Sequence, residues 1–105
     1  MTITIEQLRK LCTDDTMMIT HHAETRCRIR GIAFQDICRA IMQGEIIEQY
    51  PEDTPYPSCL VLGYSLGRPL HVVTGVSNDM LWIITAYCPG SGKWENDFKT
   101  RKAVS

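Results

Sequence analysis

A histidine and an arginine one helical turn apart can move a proton and hold a phosphate together, and this sequence offers that pair in His22 and Arg26. An imidazole with a pKa of about 6.5 gives or takes a proton near neutrality, and a guanidinium clamps two phosphate oxygens at once. Metal-independent phosphodiester cleavage is the chemistry this suits: a base activates a ribose 2′-hydroxyl while fixed positive charge stabilises the crowded phosphate. The same residues also have a purely structural reading. An inward His22 can bond a carbonyl, and Arg26 can pair with Asp36 or Glu48. The residue pattern leaves both open.

A second constellation is Arg68-Pro69-Leu70-His71, with Tyr87 further on. In an extended strand His71 shares a side with Val73 and Gly75, and Tyr87 alternates with Thr85, so a paired neighbour could bring Tyr87 beside His71. His71 and Tyr87 are then candidate proton-transfer or orienting groups, or else a polar residue on a half-exposed face and an edge aromatic with its hydroxyl in water. Arg30, Arg68, Lys99, Arg101 and Lys102 are the candidate phosphate or RNA contacts, the last three beside Trp94 and Phe98 in the tail.

Two tempting motifs fail on geometry. Adjacent residues on a helix point about 100° apart, so His21 and His22 cannot grip one ion from one face, and no metal site is expected. Pro89-Gly90-Ser91-Gly92-Lys93 resembles the end of a phosphate-binding loop, but Ala86 stands where the first glycine belongs and Trp94 replaces the metal-binding hydroxyl. No cofactor is implied.

The elements that must position these residues follow from periodicity. Thr20 is a natural N-cap and Gly31 a natural stop, giving a helix over residues 21–30. On its wheel His22 and Arg26 share an arc of roughly 160° with Ala23, Cys27, Ile29 and Arg30, which would face them toward the protein body. Glu24 and Arg28 form a solvated pair on the outer side. A capping-box spacing at Thr4 and Gln7 starts a helix over 5–13, and Phe34, Ile37, Cys38 and Ile41 mark another over 34–43. Its cap position is Ala33, a loss of about 1 kcal/mol relative to serine or threonine. From Glu45 the period becomes two, with strands expected at 45–50, 59–65, 69–76 and 81–88 and turns between them. Met17 to Ile19 lead into the second helix in extended form. Short connections make the strands an antiparallel meander, so the fold class is α+β, with N-terminal helices packed on roughly four strands. Residues 89–105 form a basic and aromatic tail, either a last helix or an extended arm.

With 105 residues, 44% hydrophobic and 22% charged, the chain is one domain of ordinary soluble composition. It has no apolar run long enough to span a bilayer and no signal peptide, so cytoplasmic residence and no membrane partner are expected. Five widely spaced cysteines read as small apolar residues in a reducing compartment, not as a disulfide framework or a zinc site. A formal net charge of −1 excludes indiscriminate nucleic-acid binding, so an RNA partner needs a local basic patch.

Taken together, Ile-Thr-x-His-Ala-x-x-Arg at 19–26, Arg-Gly-Ile at 30–32, Gly-Glu-x-Ile-Glu at 44–48, Gly-Arg-Pro-Leu-His-Val-Val at 67–73, Ile-Ile-Thr-Ala-Tyr-x-Pro at 83–89 and Trp-Glu-x-Asp-Phe-x-x-Arg at 94–101 resemble a family of small bacterial domains of unknown function. That pattern is distantly similar to the BrnT branch of RelE-like toxins. The resemblance implies helices against a curved antiparallel sheet, a metal-independent ribonuclease, RNA as substrate, and a small antitoxin partner such as a zinc-finger protein. On this reading His22 is the general base or acid, Arg26 and Arg68 are phosphate clamps, and His71 and Tyr87 assist. The alternative is a non-catalytic interaction domain. Convergence of His22, Arg26, Arg68 and His71 on one open cleft would favour the first.

Overall fold

A computed structural model describes residues 2–90 and 92–103. Ser91, in the glycine-lysine run, lies outside them. The order is α1 (Ile5–Leu11), β1 (Met17–Ile19), α2 (His21–Ile29), α3 (Phe34–Gln43), β2 (Glu45–Tyr50), β3 (Ser58–Ser65), β4 (Arg68–Ser77) and β5 (Met80–Tyr87). The class is α+β as the periodicity indicates, but the sheet is five-stranded and mixed, in the order β1-β5-β4-β3-β2. The expected four-stranded antiparallel meander is its larger part. The addition is β1, which pairs parallel to β5 with Met17 opposite Leu81 and Ile19 opposite Ile83. Three residues are too few to show alternation, so only the pairing reveals the strand.

Local chemistry sets the helix ends. Thr20 accepts a hydrogen bond from the Ala23 amide at 3.0 Å, and Gly31 breaks the chain at a φ of +68°. Thr4 caps α1 through the Gln7 amide at 3.1 Å; α1 stops at Leu11, short of residue 13, where Cys12 leaves helical geometry. Ala33 cannot cap α3 with its side chain, yet the other half of a capping box is present: Asp36 accepts from the Ala33 amide at 2.8 Å. Asp36 also accepts from Ser65 at 2.6 Å and faces Arg68 at 3.3 Å and Arg39 at 3.5 Å, tying the start of α3 to the β3–β4 turn.

The helices cover one face of the sheet. Ile37, Ala40 and Ile41 from α3, Leu8 from α1 and Cys27 from α2 meet Cys59, Val61, Leu70, Val72, Leu81 and Ile83 in the main core. Gly63 lets α3 sit directly on β3, because a Cβ there would stand 2.0 Å from the Ala40 carbonyl oxygen.

On the other face the residues opposite one another are Glu45, Leu62, His71 and Tyr87 in one row and Glu48, Leu60, Val73 and Thr85 in the next. A bulge between Ile46 and Glu48 puts both glutamates on this face, where strict alternation would separate them. Among its described residues the tail is neither helix nor extended arm. Residues 93–102 make a small hairpin, with the Lys102 amide bonded to the Lys93 carbonyl at 2.9 Å and the Glu95 amide to the Thr100 carbonyl at 2.8 Å. Asp97 closes its turn by accepting from the Lys99 and Thr100 amides at 3.0 and 2.9 Å. This hairpin folds back over the helix-free face.

Candidate functional site

His71 sits at the centre of that covered face and is completely buried. The sequence suggests a half-exposed strand position; the tail, invisible to strand periodicity, covers it. Its Nε2 lies 2.6 Å from the Phe98 carbonyl oxygen and its Nδ1 3.2 Å from the Tyr87 hydroxyl. A carbonyl only accepts, so Nε2 carries the proton, and Nδ1 accepts from the Tyr87 O–H. Burial holds the imidazole pKa below its ordinary value, which agrees with this neutral form. The Trp94 ring meets His71 edge to face at 4.5 Å and Tyr87 meets it from another side at 5.3 Å.

Charge pairs fasten the hairpin around this centre. Arg101 donates to both carboxylate oxygens of Glu48, at 2.7 and 2.9 Å, and lies 4.6 Å over the Trp94 ring. Glu48 also accepts from the Tyr50 hydroxyl. Arg101 holds the Glu48 pKa low, while burial and the neighbouring carboxylate push Tyr50 up to about 12. Lys99 reaches Glu45 at 3.2 Å. Lys99 and Arg101, expected as free phosphate contacts, therefore anchor the hairpin, and Lys102 remains exposed beside them. Glu48, Tyr50 and Trp94 belong to the site although their types alone do not mark them. The available signal is a pair of glutamates in the edge strand matched by a lysine and an arginine in the tail.

The remaining candidates are spread apart. Arg68 leans to the helix side, bonded to the Gly31 carbonyl and to Asp36, both at 3.3 Å, so it serves the α3 junction. His22 and Arg26 are exposed, contrary to the inward orientation read from the wheel. Only Ala23 and Cys27 of α2 are buried, and Ile29 is 77% exposed. The contact stripe is far narrower than 160° because α2 lies at the edge of the sheet, against β5, and has little else to pack on. Arg26 has neither Asp36 nor Glu48 as partner, since those carboxylates are taken by Arg68, Arg39 and Arg101. Glu24 and Arg28 do form the expected outer pair, at 2.9 Å. His22, Arg26, Arg68 and His71 thus meet in no common cleft.

A different grouping emerges at the C-terminal end of β5, beyond its pairing with β1. Arg30 crosses from the end of α2 to donate to the Ala86 carbonyl at 2.9 Å and to Thr85 at 3.3 Å. Burial raises the Tyr87 pKa, and Arg101 and Arg30 both lie near enough to oppose that rise. At four-residue spacing His22, Arg26 and Arg30 form one stripe along α2 that ends there. Beyond Tyr87, Lys93 joins Gly90, Gly92 and Trp94 around a recess of about 300 Å³, and Lys93, Arg101 and Lys102 line an adjoining groove of about 440 Å³. Among the described residues Arg28, Arg39, Arg68, Lys99 and Arg101 each pair with a carboxylate, whereas Arg9 and Lys10 on α1 and Arg26, Arg30, Lys93 and Lys102 do not. A domain of near-neutral charge so carries a locally basic flank.

The profile of an uncharacterised family, the domain of unknown function DUF4258, matches residues 19–88. The chain belongs to that family. The DUF4258 segment therefore runs from the end of β1 to the residue after β5. It includes His22, Arg26, Arg30, Glu48, His71 and Tyr87, while the hairpin that covers His71 lies beyond it. No curated protein and no solved structure matches the chain. No helix among the described residues is long and apolar enough to cross a membrane.

Proposed function

We propose that this DUF4258 domain is a toxin-type RNA-binding module whose phosphate track runs along His22, Arg26 and Arg30 to Tyr87 and on to Lys93 and Lys102. The observation that carries the reading is that four of the six cations without a carboxylate partner among the described residues, Arg26, Arg30, Lys93 and Lys102, belong to α2 and its end or to the tail that lines the recess at Tyr87. Unpaired guanidiniums are free to hold phosphate oxygens, and each contact releases a counterion. In the catalytic form of this reading the domain is a metal-independent endoribonuclease. Tyr87 touches the substrate and His71 acts through it: Nδ1 takes the phenolic proton as Tyr87 takes that of a ribose 2′-hydroxyl, the 2′-oxygen bonds to phosphorus as the bond to the 5′-oxygen breaks, and the departing 5′-oxygen takes a proton from water, with Arg30 and Lys93 offsetting the charge on the phosphate. The proposal takes in the resemblance of the sequence motifs to BrnT and RelE-like toxins. It adds a cytoplasmic setting and a small antitoxin protein that would silence the domain by covering this flank.

A second reading, a non-catalytic interaction domain, is favoured by the complete burial of His71 and the engagement of both its ring nitrogens. The two separate in one series of measurements. Single-stranded RNA should bind with an affinity that falls with salt, and Arg26→Ala with Arg30→Ala should lower the logarithmic salt slope by about 0.7 for each phosphate that a removed guanidinium neutralised. Cleavage leaving a cyclic phosphate, lost in Tyr87→Phe without loss of binding, would support the catalytic form. Binding without cleavage and without growth arrest on induction would leave the interaction module. Failure of the wild-type chain to bind RNA at low salt would overturn the RNA reading altogether.

A further inference from the structure

The hairpin covers only one end of the helix-free face. Toward the other end, Gly75 of β4 lies opposite Trp82 of β5, and the Tyr56 ring takes the space of a side chain at Gly75, where a Cβ would stand 2.5 Å from it. The Tyr56 and Trp82 rings are nearly parallel, with centroids 6.0 Å apart and planes 23° from one another. The loop that carries Tyr56 is fastened at its start. The Asp53 amide bonds to the Tyr50 carbonyl at 3.2 Å, and Asp53 accepts from the buried Ser58 hydroxyl at 2.5 Å. Packing on Gly75 accounts for the position of Tyr56, yet both rings keep part of their surface in solvent.

This pair lies in line with the basic flank. Trp82 and Tyr87 are separated by at most about 16 Å of strand. The Thr20 amide bonds to the Ile83 carbonyl at 3.4 Å, so α2 begins beside the neighbour of Trp82 and runs to Arg30 at Thr85 and Ala86. Along α2 the stripe of His22, Arg26 and Arg30 is about 12 Å long. Thr85, which Arg30 reaches, lies opposite Val73 on the same face as the rings.

We propose that Tyr56 and Trp82 form a stacking platform for a base of single-stranded RNA whose phosphates follow His22, Arg26 and Arg30. The inference rests on the RNA reading above and adds to it the part of the substrate that is not phosphate. Every base has a flat face, so such a platform accepts unpaired bases with little regard to sequence. A base inside a duplex is stacked on its neighbours and cannot lie on the rings, so the platform selects single strands. The cations supply attraction that salt weakens, and the rings supply attraction that does not depend on charge.

The test compares binding of two probes of equal length and charge to the full chain: oligoadenylate, and the same ribose-phosphate chain without bases. Oligoadenylate should bind about tenfold more tightly or better, the size of effect common for one stacked base. Tyr56→Ala and Trp82→Ala should each lose most of that advantage with the logarithmic salt slope unchanged, because neither ring neutralises a phosphate. Tyr56 lies in a loop, so its variant decides the matter if Trp82→Ala fails to fold. Oligoadenylate should also quench tryptophan emission. Trp82→Phe keeps a ring and should bind within a few-fold of wild type with the quenching gone, since the other tryptophan, Trp94, is sealed under the hairpin. Equal affinity of the wild type for the two probes would overturn the platform and leave the RNA reading standing, as would quenching that persists in Trp82→Phe. Binding of neither probe at low salt would overturn both.

Discussion

Trp94→Ala removes the residue that seals the hairpin onto the sheet. Trp94 is only 4% exposed, meets His71 edge to face and carries Arg101 over its ring. Truncating a buried tryptophan costs about 3–5 kcal/mol in a core that cannot collapse, and removal of the cation–π interaction adds about 0.5–1 kcal/mol. The hairpin has a cheaper response than global unfolding: it can let go. Releasing it returns conformational entropy of about 1–2 kcal/mol for each backbone position freed, so detachment caps the loss felt by the rest of the domain. The remaining holds, Arg101 on Glu48 and Lys99 on Glu45, are between side chains 22–57% exposed and contribute at most about 1 kcal/mol each. Hydrogen exchange should therefore find the Glu95 and Lys102 amides unprotected in Trp94→Ala while those of β3 and β4 keep most of their protection. The uncovered His71 should titrate nearer its ordinary value by proton NMR. Native-like protection of both hairpin amides with an unchanged His71 titration would refute the view that Trp94 holds the covering hairpin in place.

Gly63→Ala should cost about 3 kcal/mol or more, because a methyl 2.0 Å from the Ala40 carbonyl forces α3 off the sheet; a urea midpoint equal to wild type would contradict the contact. Asp36→Ala strips the Ala33 amide, Ser65 and two arginines of a shared acceptor, and should destabilise by about 2–3 kcal/mol in thermal unfolding. Stability should fall in two stages on acidification. His71 is held below its ordinary pKa, so the unfolded chain takes up a proton the folded chain does not; its contribution is complete above about pH 6.5 and is lost as pH falls toward the folded value. Asp36 and Glu48 are also held low, by the Ser65 hydroxyl and by Arg101 respectively, and their contribution is complete above about pH 4.5 and lost below it. Melting curves of His71→Gln should lack the upper stage and retain the lower.

The sequence by itself determined the local structure. Caps at Thr4 and Thr20, the stop at Gly31, the amphipathic run of α3 and the period-two strands from Glu45 onward depend on neighbours within a few residues, so their signals survive without tertiary contacts. The opposition of His71 and Tyr87 was legible for the same reason, since alternation and short turns fix register. Tertiary structure decided which faces were covered. The wheel of α2 cannot say how wide its contact stripe is, and only its place at the sheet edge exposes His22 and Arg26. Strand alternation cannot foresee a bulge at Ile47, yet that bulge brings Glu45 and Glu48 to the tail. Nor can it foresee that residues 93–102 fold back to bury His71 and leave Arg30 and Lys93 around Tyr87. Those outcomes depend on pairings between residues far apart in the chain, and such partners leave no local period to read.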